Sequence, residues 1–266
     1  NSHTFEPKPR VAELLATADV VYLNGLQLEE PTRRMAVDNG KDGGVIVALG
    51  DRAVPPSQHI YDFSFPRRDG RPNPHLWTDP TLARRYAEIV RDDMAGRDPA
   101  NADYYAANYR DFAAMIGRFD AALRTAFATL PSRRLLTYHD AYAYVARTYD
   151  LDVIGAIQVS DFDDPTPADV ARLIDQVKAL DVPAIFGSEV FPSPVLAQIG
   201  REAGVRYVDE LRDDDLPGKP GDEEHSWFGL MRFDFVTITE ALGGDATALR
   251  SLSWSPPTAD RARYPQ

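Results

Sequence analysis

The 266-residue chain is 44% hydrophobic and 26% charged, enough apolar content for one large domain or two ordinary ones and too little bias for wholesale disorder. Its net charge of -12 argues against a nucleic-acid partner, whose phosphates need a basic surface. It contains no cysteine, which excludes disulfides, thiolate zinc sites and cysteine nucleophiles, so any metal must be held by imidazole and carboxylate.

In chain order, the sequence starts at Asn1-Ser2-His3 without a helix or strand before it, as expected of a chain whose beginning was processed or cut. Residues 11–18 predict a short amphipathic helix, 19–23 a strand, and 27–38 a second helix. Val45 to Leu49 is an uninterrupted apolar strand, residues 51–74 are an irregular loop rich in Pro, Arg and Asp, and Thr81 to Met94 is a helix started by Asp79-Pro80. Strands apolar on both faces, alternating with helices, predict a parallel sheet covered on both sides.

The stretch from Ala102 to about Leu130 has no Pro, and Tyr105, Tyr109, Phe112, Ile116, Phe119, Leu123 and Phe127 recur at three- and four-residue steps. That is one apolar stripe on a helix about 40 Å long. Only one such segment exists, which predicts a rigid linker between two lobes instead of a coiled coil. The alternation then restarts: strands at 134–138, 153–159, 184–187 and 205–208, with helices at 140–149, 167–180, 194–203 and 227–242. The expected architecture is α/β, with an N-terminal lobe over 1–101, a linker helix over 102–130 and a C-terminal lobe over 131–266. No apolar run approaches the roughly 18–20 residues a membrane span requires.

Three of the five histidines, His3, His75 and His139, sit where a loop or strand gives way to a helix. In parallel α/β sheets ligands bind beyond the carboxyl ends of the strands, where such loops converge. By the same topology the strand at 205–208 runs into a carboxylate-rich loop, but topology alone does not choose among Asp209, Asp213, Asp214 and Asp215. Three neutral imidazoles and one carboxylate suit tetrahedral zinc and remain acceptable to manganese. His59 is a candidate accessory contact, Glu189 a hydrogen-bonding neighbour of the site, His225 a helix-entry residue, and Trp77 and Tyr138 its walls.

The segments HTFEPKP (3–9), NGLQLE (24–29), NPHLWTDP (73–80), TYHDAYAYVARTYDL (137–151) and AGVRYVDELRDDDLPG (203–218) together resemble the cluster A-I metal-binding lipoproteins, the substrate-binding components of zinc and manganese ABC transporters. The resemblance implies two α/β lobes, each a parallel-rich sheet with flanking helices, joined by one rigid helix with a metal ion in the cleft. Carried over residue by residue, it implies His3, His75, His139 and Asp214 as metal ligands, with no catalytic residue. It implies an extracytoplasmic protein, periplasmic or lipid-anchored at the cell surface, that delivers zinc, or alternatively manganese, to a membrane ABC permease. A metallochaperone is a further candidate partner, nucleic acid is not, and a monomer is expected. Zinc-specific members carry a His-rich loop where residues 57–72 hold only His59, and the family's first strand and helix precede the HTFEP segment. The rival readings are a hydrolase using the same histidines with Glu189 as general base, and a surface adhesion module with a structural metal.

Overall fold

The structure, a computed structural model, describes residues 6–156, 166–180, 182–188, 194–212 and 215–254. In the first lobe α1 (Pro9–Thr17) leads into β1 (Val21–Leu23), and α2 (Glu30–Asp38) leads into β2 (Ile46–Ala48). The two strands pair in parallel, Val21 opposite Ile46 and Leu23 opposite Ala48. Val11, Leu15, Val21, Leu23 and Ala36 close into a small core on this pair. Leu49, expected to end the strand, instead opens the short α3 (Leu49–Ala53). Helix α4 (Pro80–Arg97) is longer than expected, with Asp79 capping it by accepting the Thr81 amide at 2.8 Å and Pro80 preset for the first turn.

Helix α5 (Ala102–Phe127) is the expected long helix. Its first half lies along α4, with the Arg91 guanidinium 4.4 Å over the Tyr109 ring. Its second half buries Ile116, Phe119, Leu123 and Phe127 in the core of the second lobe. One helix therefore contributes to both lobes, and its apolar stripe is what ties them.

The second lobe holds a parallel four-stranded sheet in the order β4-β3-β5-β6. Its strands are β3 (Arg134–Thr137), β4 (Asp152–Ala156), β5 (Ala184–Ser188) and β6 (Arg206–Leu211). The crossovers include α6 (Ala143–Tyr149), α7 (Pro167–Leu180) and α8 (Pro194–Ala203); α9 (Trp227–Ala241) and α10 (Thr247–Arg250) follow the sheet. Successive residues of a strand point to opposite faces. Leu135 and Phe186 accordingly pack with α5, α6 and α9, while Leu136 and Ile185 pack with α7 and α8. The result is a helix–sheet–helix sandwich whose central strands end beneath the first lobe.

Two expectations need correction here. β6 runs on through Asp209 and Glu210, which the sequence placed in a loop; as the edge of the sheet it can keep charged side chains in solvent. Residues 138–142 are not helical, so His139 lies in a connection four residues ahead of α6. The carbonyls of Asp140 and Ala141 are drawn to side chains of the first lobe, Asn73 and Thr78, instead of into helical bonds.

Candidate metal centre

His75 and His139 come from different lobes and face each other. Their Nε2 atoms are 2.8 Å apart and both residues are buried. His75 follows Asn73-Pro74 and precedes a single 3-10 turn, Leu76–Thr78, that ends at the cap of α4. His139 stands just past the carboxyl end of β3, an interior strand. With metal–nitrogen bonds of about 2.0–2.1 Å, two tetrahedral ligands stand about 3.4 Å apart. Parting the rings by roughly half an ångström would admit an ion between them.

Among the described residues, aromatic rings pack against the pair. Phe65 presents its ring nearly edge-on to both imidazoles, at 5.6 Å from His75 and 6.0 Å from His139, and Trp77 lies 4.9 Å from His75. Two clefts among the described residues, about 690 Å³ beside Arg206 and Arg232 and about 630 Å³ beside Phe112 and Trp254, include neither histidine, and a small space of about 10 Å³ touches His139.

The backbone beneath His75 is fixed from several directions. Asn73 Oδ1 accepts from the His75 amide at 2.9 Å and lies 2.8 Å from its Nδ1. Asn24 Nδ2 donates to the Pro74 carbonyl at 2.9 Å, and Tyr86 holds the Asn24 side-chain oxygen at 2.7 Å. Asn24 opens a turn in which Gly25, Leu26 and Gln27 all take positive φ, at 85°, 51° and 66°. Such backbone is strained for non-glycine residues and survives only where it is held. Glu29 holds it by accepting the amides of Asn24 and Gly25, and Asp51 by accepting that of Leu26. A Cβ on Gly25 would stand 2.2 Å from Asp51 Oδ2, so the position requires glycine.

The lobes are joined directly below the pair. Asn73 Nδ2 donates to the Asp140 carbonyl at 2.6 Å, Thr78 to that of Ala141 at 3.0 Å, and Tyr144 to that of Asn73 at 3.0 Å. Thr148 bonds the Asp79 carboxylate, Arg147 the Gln58 carbonyl, and Trp227 Nε1 the Trp77 carbonyl. Burial pushes the Asp79 carboxyl up, against the bonds it accepts from Thr148 and Thr81. Asp140 is buried, meets no hydrogen-bond donor and lies against the Asp62 carboxylate. Burial first, and the Asp62 charge second, hold Asp140 well above the usual carboxylate range. Asp62 accepts from Asn73, Phe65 and Ser64. Burial pushes the Asp62 carboxyl up as well, against the bonds it accepts.

Of the four expected ligands the structure brings two together, His75 and His139. His3 and Asp214 lie outside the described residues, as does Glu189. Among the described residues no third His, Asp or Glu joins the pair, which leaves out His59, Asp209 and Asp215. His225 has its Nδ1 3.0 Å from the Pro217 carbonyl, beside the Ser226 cap of α9, the helix-entry place expected for it. Sequence reasoning missed Asn73, Asp62, Phe65 and Thr78. Asn73 and Thr78 lay inside the NPHLWTDP motif, but Asp62 and Phe65 carried no local signal. It also missed Asp234, fully buried on α9, which accepts from the Arg212 amide and the Tyr142 hydroxyl at 3.0 Å each.

A family model described as the zinc-uptake complex component A, periplasmic, matches residues 1–241. The chain belongs to that family. The manganese-binding lipoprotein MntA of Halalkalibacterium halodurans is 28% identical over 242 residues, covering 90% of this chain and 77% of the relative. The iron-binding protein YfeA of Yersinia pestis is 26% identical over 243 residues, covering 91% and 76%. The solved structure of the periplasmic zinc-binding protein TroA from Treponema pallidum matches with a TM-score of 0.78 at 24% identity, over 91% of this chain and 87% of that one, a likeness of fold. The family's two α/β lobes with a connecting helix are the architecture described above. No helix among the described residues is long and apolar enough to cross a membrane.

Proposed function

We propose that the protein is the extracytoplasmic receptor of a metal ABC importer. It captures one divalent transition-metal ion between its lobes and delivers it to the membrane permease, with zinc the first expected cargo and manganese the second. The observation that carries this reading is the buried pair of Nε2 atoms, one from each lobe, 2.8 Å apart. His3 and Asp214 complete the ligand set. The lobes are residues 1–101 and 131–266, and the chain acts as a monomer.

Zinc is favoured by the imidazole-rich donor set, which manganese also tolerates. Four protein ligands fill a tetrahedral site and leave no open position for the water a hydrolytic zinc requires. The protein is therefore a carrier and not an enzyme. Its ligands must be deprotonated, so affinity falls as pH drops through the imidazole range.

Equilibrium dialysis against zinc and manganese at neutral pH tests this. The intact chain should take up one equivalent of zinc, and His75→Ala, His139→Ala and Asp214→Ala should each lose at least about 100-fold in affinity. Asp215→Ala should bind as the parent does. Undiminished binding by both histidine variants would sink the assignment.

A further inference from the structure

Four contacts around the Asn73 amide admit only one orientation of it. The His75 backbone N–H lies 2.9 Å from the atom named Oδ1, and a backbone N–H can only donate, so that atom must be the amide oxygen. The amide nitrogen then faces Asp62 Oδ2 at 2.7 Å and the Asp140 carbonyl at 2.6 Å, both acceptors. Flipping the amide would set donor against donor on one side and oxygen against two oxygens on the other. The same Oδ1 is 2.8 Å from His75 Nδ1. An amide oxygen cannot donate, so this bond exists only when Nδ1 carries the proton. A neutral imidazole protonated at Nδ1 has a bare lone pair at Nε2, the atom that faces His139.

We infer that Asn73 is a positioning residue that, anchored by Asp62, locks His75 in the one tautomer able to offer Nε2 to a metal. The inference rests on the carrier reading above for its purpose, but not for its geometry. Asp62 has a second task. Its Oδ1 accepts the amides of Ser64 and Phe65, at 3.2 and 3.0 Å, and so folds the turn that sets the Phe65 ring against both imidazoles. The stretch between α3 and His75 supplies the wall of the site and the anchor of its tautomer. Asn73 as a plain turn residue would account for its bond to the His75 amide. It would not account for the second bond to the ring or for the carboxylate fixing the far side of the amide.

The test is nitrogen-15 NMR of histidine-labelled full chain after chelation, at neutral pH, combined with zinc titration. In the parent protein His75 should be protonated at Nδ1. Asn73→Ala should move the proton to Nε2 or give a mixture, and should weaken zinc binding about 10–100-fold. Asp62→Ala should shift the tautomer in the same direction. Asp62→Asn, whose single oxygen can serve either the Asn73 amide or the Ser64 and Phe65 amides but not both, should fall between the parent and Asp62→Ala in tautomer and affinity. Should Asn73→Ala fail to fold, the two Asp62 variants carry the test. An unprotonated Nδ1 in the parent, or an unchanged tautomer in both alanine variants, overturns the inference. Because the tautomer is read without metal, a parent protein that binds no zinc or manganese defeats the carrier reading and leaves this result standing.

Discussion

Asp234 sits in the middle of α9 with no exposed surface, and its two oxygens take the Arg212 amide and the Tyr142 hydroxyl. Arg212 stands two residues before Asp214 in the sequence, and Tyr142 belongs to the connection that carries His139. One carboxylate thus holds the approaches to both ligands expected from the second lobe. Removing it strands buried donors, each of which costs about 1–3 kcal/mol. Asp234→Ala should therefore lower stability by about 2–4 kcal/mol in urea denaturation and weaken zinc binding as well, while Tyr142→Phe, which strands one carboxylate oxygen, should cost about 1–3 kcal/mol. A loss of stability with unchanged affinity would show that the Arg212 anchor does not reach the metal loop. Asp234 was not legible in the sequence. It interrupts an apolar helix, and nothing local reveals that its partners lie 22 and 92 residues away. His75 and His139 were legible because each stands at a loop position that topology marks. Asn73 was hidden because its role depends on acceptors supplied by Asp62 and by the other lobe.

Among the elements, β1 and α4 are tied by Asp93, which accepts the Tyr22 hydroxyl at 2.7 Å and two bonds from Arg97 one turn along the helix. The Arg97 bonds first, and the Tyr22 bond after them, hold the Asp93 carboxyl below its ordinary value. A carboxyl lowered by folding stabilises at pH values above the unfolded pKa, and the gain is lost as pH falls through the lower folded value. Asp93→Asn should therefore be less stable than the parent at pH 7, by about 1 kcal/mol or less since the ion pair is partly solvated. The gap should begin to narrow below about pH 4 and close as the pH falls through the lower folded value. Melting curves of both proteins across that range check the sign; a gap that widens in acid would contradict it. Elements were most legible where the chain punctuates itself. α7 and α8 begin at Pro167 and Pro194, and proline is pre-organised for the first helical position, so their expected and observed bounds coincide. The end of β6 and the start of α6 were misjudged because partners distant in sequence decided them: the solvated edge of the sheet in one case, Asn73 and Thr78 in the other.

For the molecule as a whole, the cores on both faces of the four-stranded sheet are built without the two histidines, and so is the core between α1 and β1. Chelation should leave a folded protein with unchanged far-ultraviolet circular dichroism. Saturating zinc should then raise the melting temperature by mass action, the added stability being about 2.7 kcal/mol at a hundredfold excess over Kd. The bonds beneath the site and the single helix α5 resist a wide hinge. The radius of gyration from small-angle scattering should change on loading by less than about 1 Å, as small shear or loop motions allow. Unfolding on chelation would instead mark the metal as structural, and a swing of several ångströms would show that the seam opens.

The seam between the lobes has a direction. Asn73, Thr78, Tyr144, Arg147 and Trp227 all donate from side chains, and all five acceptors are main-chain carbonyls, those of Asp140, Ala141, Asn73, Gln58 and Trp77. A carbonyl is present whatever side chain its residue bears. Apart from the Thr148–Asp79 pair, where both partners are side chains, the sequence requirement of the seam therefore falls on the five donors, and the accepting positions other than Asn73 are free to be chosen for other work. That freedom is what lets Trp77 pack against an imidazole while its backbone serves the joint between the lobes. Substitutions that retune the metal pocket from the accepting side can accumulate without loosening the two halves, whereas the donating side is closed to them.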